Sequence, residues 1–279
     1  MKIISAELIG QTVYELFSKA CIKPDDSVER ELEAAEKKER TPHAKEILRQ
    51  LIINNRIAAN KSIPACQDTG MAVVLLELGQ EVSVRGEFLD DAINKGVARA
   101  YEEGYFRKSV LDPITRENTE DNTPAVIHTK IVPGDGLKIT CIPKGFGSEN
   151  MSAIAMLPPS AGEQGIVDFI VSTAVNAGGS PCPPVVLGVG IGGTFESCAL
   201  LAKEQLLRPL NKPSEDPKLA EMEKECKRLI NELDLGPMGL GGDTYCLAVH
   251  IAKTPTHIAA LPVAVNYCCH MLRFASATL

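Results

Sequence analysis

With 279 residues, 44% of them hydrophobic and 23% charged, the chain can bury a sizeable core and has the composition of a globular protein. A net charge of −7 without a Lys/Arg-rich block disfavours nucleic acid and anionic membrane as partners, although a local cationic cluster can still steer an anionic substrate. No early apolar run resembles a secretory signal and no later segment approaches a membrane span, so a cytoplasmic location is expected, with the nine cysteines as reduced thiols or metal ligands.

Ile9, Val13, Leu16, Phe17 and Ala20 follow helical spacing, and Lys23-Pro24-Asp25-Asp26 ends that helix. The charged stretch from Ser27 to Arg40 reads as a solvated helix face, and Thr41-Pro42 opens a helix running to about Asn60. Pro64-Ala65-Cys66-Gln67-Asp68-Thr69-Gly70 is a turn, Met71 to Leu78 a buried strand, and Leu89, Ile93, Val97, Ala100 and Tyr101 mark a helix before Gly104. Arg107 lies in the loop beyond it. Ala125 to Val132 and Leu137 to Ile142 are β-branched runs joined by Pro133-Gly134-Asp135-Gly136, which predicts a hairpin. Lys144 to Ser148 leaves it as a glycine-rich loop. Gly165 to Asn176 predicts a helix, Val185 to Val189 a strand, Thr194 to Leu207 a helix, and Asn211 to Pro217 a surface loop before a charged helix from Lys218 to Leu233. A second glycine-rich loop, Gly236 to Asp243, precedes strands at Thr244 to Ile251 and Leu261 to Val265. The whole, residues 1–279, reads as mixed α/β in a single compact unit, with helices packed around β-sheet.

Three cysteines stand out because they sit in stiff, turn-forming contexts: Cys66, Cys182 within Ser180-Pro181-Cys182-Pro183-Pro184, and Cys269 within Tyr267-Cys268-Cys269-His270. None forms a short CxxC pair, which disfavours a zinc knuckle or a thioredoxin-like motif. Thiolates gathered from remote loops suit a buried cofactor, and a cluster held by three cysteines leaves one iron open as a Lewis acid. Cys21, Cys141, Cys198, Cys226 and Cys246 lie in apolar or amphipathic runs and read as core. Cys268 competes with Cys269. Gly188-Val189-Gly190-Ile191-Gly192-Gly193 satisfies GxGxxG, but Glu215 and Asp216 fall in a proline-bounded loop where a ribose partner belongs at a strand end. Close backbone approach near the Cys182 turn, or an anion at a helix N-terminus, is the better use of that run. Asp68, two residues past Cys66, is an acid/base candidate whose bland alternative is a turn aspartate bonding its own backbone before Gly70.

Ala65 to Gly70, Asp121-Asn122-Thr123-Pro124-Ala125-Val126-Ile127-His128, Lys144-Gly145-Phe146-Gly147-Ser148, the Cys182 turn with Gly188 to Gly193, and Thr256 to Asn266 together resemble the iron-sulfur hydro-lyases of the class I fumarase and L-tartrate dehydratase type, specifically the α subunit of the two-subunit form. The resemblance spans nearly the whole chain, its blocks in the family's order. It implies that Cys66, Cys182 and Cys269 bind a 4Fe-4S cluster with the fourth iron open. Cys269 is taken over Cys268 because the family's last ligand follows Leu-Pro-Val-Ala-Val at that position. It further implies substrate contacts from Gln67, Asp68, Arg107, Gly147 and His257. The match at Arg107 is loose, and Phe146 stands where the family carries glycine.

The reaction so implied is reversible addition of water across the double bond of a dicarboxylate, with Asp68 on the oxygen side and the second acid/base group on a β-type subunit that this chain lacks. Activity in an α/β hetero-oligomer is therefore expected. The leading expectation is the α subunit of fumarate hydratase, with the α subunit of L-tartrate dehydratase or of a related hydroxy-dicarboxylate dehydratase as the alternative. A non-catalytic iron-sulfur or redox-sensing protein, and behind it a nucleotide-binding module, are the readings of different class.

Overall fold

In a computed structural model that describes every residue from Met1 to Leu279, the chain divides into two compact units: Met1–Asp25, Asn55–Phe146 and Arg273–Leu279 form the first, Asp26–Asn54 and Gly147–Leu272 the second. In chain order the elements begin with β1 (Lys2–Ser5), α1 (Ala6–Ile22), α2 (Asp26–Lys38), α3 (Pro42–Lys61), β2 (Met71–Gly79), β3 (Val82–Arg85) and α4 (Leu89–Glu103). They continue with β4 (Val126–Val132), β5 (Leu137–Lys144), α5 (Phe146–Glu149), β6 (Ala153–Leu157), α6 (Gly162–Ala177), β7 (Val185–Gly193) and α7 (Phe195–Gln205). The last are α8 (Pro217–Asn231), β8 (Cys246–Thr256), β9 (Leu261–Cys268) and β10 (Ala275–Thr278). The architecture is mixed α/β, with helices packed on sheets as the sequence pattern predicts.

The first unit holds a four-stranded sheet in the order β10-β5-β2-β4 and a parallel pair, β1 with β3. The helical spacing of Ile9, Val13, Leu16, Phe17 and Ala20 lays one face of α1 on β5 and β10, in one core with Leu137, Ile139 and Cys141 of β5, Ala72, Val74 and Leu76 of β2, and Ile93, Val97 and Ala100 of α4. α1 begins where the Ser5 hydroxyl accepts the Leu8 N–H at 3.1 Å, a serine N-cap. Gly10 and Gly96 let the two helices touch: a Cβ on Gly96 would lie 2.3 Å from the Gly10 carbonyl oxygen.

The predicted hairpin is not one. β2 lies between β4 and β5, parallel to the former and antiparallel to the latter. Pro133-Gly134-Asp135-Gly136 does turn the chain, but it wraps the end of β2, whose last residue and the two that follow donate to it and to the end of β4: Gly79 N to Gly136 O at 2.8 Å, Gln80 N to Val132 O at 2.8 Å and Glu81 N to Gly134 O at 3.0 Å. Turn chemistry is local, whereas the strand that fills the space between the two arms comes from far upstream.

The second unit holds a four-stranded sheet in the order β6-β9-β7-β8. Along β7 the side chains alternate: Val185, Leu187, Val189 and Ile191 join Ile166 and Ile170 of α6 and Leu219, Cys226 and Ile230 of α8 in one core. On the opposite face α7 packs through Cys198 and Ala202. The charged stretch forms α2, which buries Val28, Leu32 and Ala35 and exposes Arg30, Lys37 and Lys38. β8 is an edge strand, and α8 covers its open backbone: the Asn231 side chain accepts from Tyr245 N and Cys246 N and donates to Cys246 O, and Glu223 accepts from Ile251 N. No helix is long and apolar enough to cross a membrane.

Candidate active site

In the first unit the residues of interest lie on the loop that enters β2. Both carboxylate oxygens of Asp68 accept backbone N–H groups, Oδ1 from Gly70 at 2.9 Å and Oδ2 from Phe146 at 2.8 Å. The first bond is the turn contact that an aspartate two residues before a glycine favours, and Gly70 itself has φ 80°. The second ties the turn to the loop after β5. Gly70 sits where any side chain would strike Lys144, with an added Cβ 2.6 Å from its carbonyl carbon.

The same loop is staked from three further directions. The Tyr101 hydroxyl reaches the Thr69 and Gly70 carbonyls at 2.8 and 3.0 Å. Asn122, fully buried, donates to Gly70 O at 3.2 Å and accepts from Ser109 N and Val110 N at 2.7 and 3.2 Å, so it joins the Cys66 turn to the loop that carries Arg107. Thr69 Oγ1 adds a bond to the Arg107 carbonyl at 3.1 Å. Buried Arg273 donates from Nε to Pro143 O at 3.3 Å and from Nη2 to the Asp68 carbonyl. Cys66 and Asp68 are half-buried and Gln67 and Arg107 exposed, while Lys144 is buried with its Nζ donating to Gly145 O at 3.2 Å. The structure thus brings Gln67, Asp68 and the Arg107 loop together around one turn.

In the second unit Cys182 precedes β7 as Cys66 precedes β2. Its φ is 55°, its N–H donates to Gly179 O at 3.2 Å, and its carbonyl accepts from His270 N at 3.5 Å, which places the last cysteine pair beside it. The second glycine-rich loop proves to be a brace: Met238 N donates to Pro183 O at 3.0 Å, and Gly239 passes so close that a Cβ there would lie 2.5 Å from Gly179 Cα. Gly147 faces the same turn, 3.7 Å from Ser180 O by the same measure. The loop after it is fixed by Glu149, which pairs with Lys203 at 2.6 Å and accepts from Asn266 of β9 at 2.9 Å. His257 lies on an exposed turn between β8 and β9, where its ring Nδ1 accepts from Ala259 N at 3.2 Å.

Gly188 to Gly193 is not a loop. It is the second half of β7, and its glycines admit α7: a Cβ on Gly188 would sit 2.1 Å from Ala202 O, and one on Gly190 2.3 Å from Cys198 O. The close approach expected of this run is therefore to a helix backbone, and the helix that follows starts beyond the strand with the Thr194–Ser197 capping box. Asn122, Tyr101, Arg273, Glu149 and Asn266 carry positioning roles that spacing does not reveal. Asn122 and Asn266 do stand inside the motif blocks of the sequence, and Glu149 directly follows one, which is the available signal.

All nine cysteines are thiols, and the structure sorts them sharply: Cys66 and Cys269 are half-buried and Cys182 exposed, while the other six are buried. Burial pushes Cys21, Cys226 and Cys246 up to about 12 and raises Cys141 and Cys198 as well, which keeps these five as protonated, inert thiols at neutral pH. Cys268 is the last residue of β9, paired in register with Val186, whereas Cys269 lies just past the strand end. Neither unit by itself gathers three His, Cys, Asp or Glu side chains around a metal position. An iron-sulfur cluster takes thiolate donors, and the three cysteines outside the buried set are Cys66 of the first unit and Cys182 and Cys269 of the second.

Comparison with known proteins agrees with the motif blocks. Residues 10–278 match the family described as fumarate hydratase (Fumerase). A putative L(+)-tartrate dehydratase subunit alpha of Methanocaldococcus jannaschii is 42% identical over 268 residues, covering 94% of each chain. The L(+)-tartrate dehydratase subunit alpha of Escherichia coli K12 is 30% identical over 250 residues, 88% of this chain and 82% of that one. With nearly the full length matched in family and relatives alike, the chain belongs to the fumarate hydratase family of iron-sulfur hydro-lyases, α-subunit type.

Proposed function

We propose that the chain is the α subunit of a dehydratase that reversibly adds water across the double bond of a short dicarboxylate, fumarate and L-malate being the first substrate pair, and that Cys66, Cys182 and Cys269 hold a 4Fe-4S cluster. The observation that carries this reading is the sorting of the thiols: of nine, the three that are not buried are those the family resemblance implies as ligands. When bound, such a cluster supplies an open iron as Lewis acid for the departing hydroxyl. Asp68 is the oxygen-side acid/base. Its two backbone bonds fix the carboxylate plane and leave one lone pair on each oxygen to exchange a proton with the substrate hydroxyl.

Arg107 grips a substrate carboxylate with its guanidinium fork, and Gln67, the Gly147 backbone and His257 complete the orientation. The carbon-side proton passes to a group on a β-type partner, since acid/base work of this kind divides between two residues. A cytoplasmic α/β complex is the form in which this chemistry runs. L(+)-tartrate is the second reading, favoured by the names that the two relatives bear.

Assay of the cluster-loaded chain, alone and with its β-type partner, against fumarate, L-malate and L(+)-tartrate tests the proposal. Little turnover alone and full turnover in the complex is the expected result. Equal turnover without the partner contradicts the division of labour, and a cluster-loaded complex inert on all three substrates favours an iron-sulfur sensor.

A further inference from the structure

In the second unit, a hollow of about 270 Å³ opens along the outer edge of β8 between α8 and the loop at Leu210–Pro213. Its wall carries Lys212, Lys224, Lys227, Glu31, Glu223 and His250. The neighbouring cations are paired: Lys218 with Glu163, Arg228 with Glu225 and Glu232, Lys253 with Asp216, and Arg208 with Glu223. Lys212, Lys224 and Lys227 have no such partner. The Glu223 carboxylate is already engaged by Arg208, Ile251 N and Ser214 N, so Glu31 is the one uncommitted acid facing three ammonium groups. In a chain of net charge −7, that is a local excess of positive charge.

The second observation is His250, whose side chain is buried in the same wall with 2% of its surface exposed. Its Nδ1 meets the Gln205 carbonyl at 3.1 Å, which can only accept, so the neutral ring carries its proton there. Nε2 is then a buried acceptor without a hydrogen-bond partner, and the Leu210 carbonyl beside the ring, which also only accepts, cannot supply one to the neutral ring. A buried acceptor of this kind calls for a donor. Lysines ask for oxyanion charge, and His250 asks for an O–H.

From this combination we propose that the hollow is a second ligand site, apart from the residues of the dehydratase reading, which takes a small oxyanion bearing one hydroxyl proton: a hydroxy-carboxylate or hydrogen phosphate. The anionic oxygens face Lys212, Lys224 and Lys227, and the hydroxyl donates to His250 Nε2. The proposal does not rest on the dehydratase reading, because none of these residues belongs to it.

Titration calorimetry on the full chain at pH 8 tests it with two matched pairs of probes. L-Malate carries the hydroxyl and succinate lacks it; hydrogen phosphate keeps a proton and sulfate does not. The proton-bearing member of at least one pair is expected to bind about tenfold or more tightly than its mate, since the mate leaves the buried acceptor unpaired. A preference in the malate pair identifies a hydroxy-acid ligand and one in the phosphate pair a phosphate ligand. The variant K212Q/K224Q/K227Q, altered in lysines that pair with nothing, is expected to lose about tenfold or more of that affinity, and His250→Phe to abolish the preference. Binding of succinate and sulfate as tight as that of their partners, or affinities unmoved in the triple variant, overturns the proposal whether or not the His250 variant folds.

Discussion

The two four-stranded sheets share one topology. In each a central strand, β2 or β7, has a parallel neighbour on one side, β4 or β8, and an antiparallel neighbour on the other, β5 or β9, which in turn pairs with an antiparallel edge strand, β10 or β6. In each the turn that enters the central strand carries a candidate cluster cysteine. What differs is the rest of that turn. Around Cys66 it is polar and supplies Gln67 and Asp68, held by side chains from α4, the Asn122 loop and Arg273. Around Cys182 it is proline-rich and supplies only the thiol, held by backbone bonds from Met238 and His270. The same strand plan thus presents a candidate ligand with candidate reactive groups in one unit and a candidate ligand alone in the other. Close packing differs likewise: α1 and α4 meet through glycines on the helices, whereas α7 meets β7 through glycines on the strand.

The sharpest way to break this comparison is at Asp68. Asp68→Asn keeps the size and one acceptor but removes the exchangeable proton, so kcat in the α/β complex should fall by about 10² to 10⁴ with the iron content unchanged. Wild-type kcat with a full cluster makes Asp68 a turn residue only and erases the distinction between the two turns.

Gly188→Ala drives a Cβ to within 2.1 Å of the Ala202 carbonyl oxygen and should cost about 3 kcal/mol or more. Gly96→Ala, 2.3 Å from the Gly10 carbonyl oxygen, should do the same in the first unit. Hydrogen exchange then reads whether each loss stays within the unit that carries it. A midpoint unchanged in either variant shows that its helix can move away without penalty.

Acid should separate the units further. Burial and the Arg208 guanidinium lower His250 to about 4 from an ordinary value of about 6.5. Burying it neutral therefore contributes stability that is complete above pH 6.5 and is lost as the pH falls towards 4, to a total of about 3 kcal/mol. Chemical denaturation at stepped pH should show that loss in the wild type and its absence in His250→Phe. Equal acid sensitivity in both assigns it elsewhere.

The smallest effect is expected at Asn122. Asn122→Ala leaves the Ser109 and Val110 N–H groups and the Gly70 carbonyl without their side-chain partner, for about 1 to 3 kcal/mol. Because these bonds join the Cys66 turn to the Arg107 loop, KM for the dicarboxylate should rise as well. A stability loss with KM unchanged reduces Asn122 to a structural bond.

Much of the fold was legible in the sequence because its long elements advertise their period. The spacing of α1, the Pro42 start of α3 and the apolar runs of β2 and β7 all appear where the pattern predicts. The parts that were not legible depend on partners far away in the chain. β1 pairs with β3, β10 returns from the C-terminal residues to β5, and β2 separates two strands whose connecting turn reads as a hairpin. Four-residue strands such as β1, β3 and β10 carry too little alternation to be seen alone. In the candidate site the cysteines were legible from their turns. Their supports were not, because a buried asparagine, tyrosine or arginine shows its role only through the carbonyls it meets. The GxGxxG run predicts a close backbone approach but not its partner, for the same reason: the glycines of β7 answer to a helix packed on them.

The central claim is that three loop thiolates, Cys66, Cys182 and Cys269, hold an iron-sulfur cluster in this chain. The most direct measurement is iron and acid-labile sulfide in anaerobically prepared wild type and in single serine variants of Cys66, Cys182, Cys198, Cys268 and Cys269. The account predicts a brown, air-bleached wild type, cluster loss in the Cys66, Cys182 and Cys269 variants, and retention in Cys198→Ser and Cys268→Ser. A full cluster in Cys269→Ser with loss in Cys268→Ser, or zinc in place of iron, would contradict it.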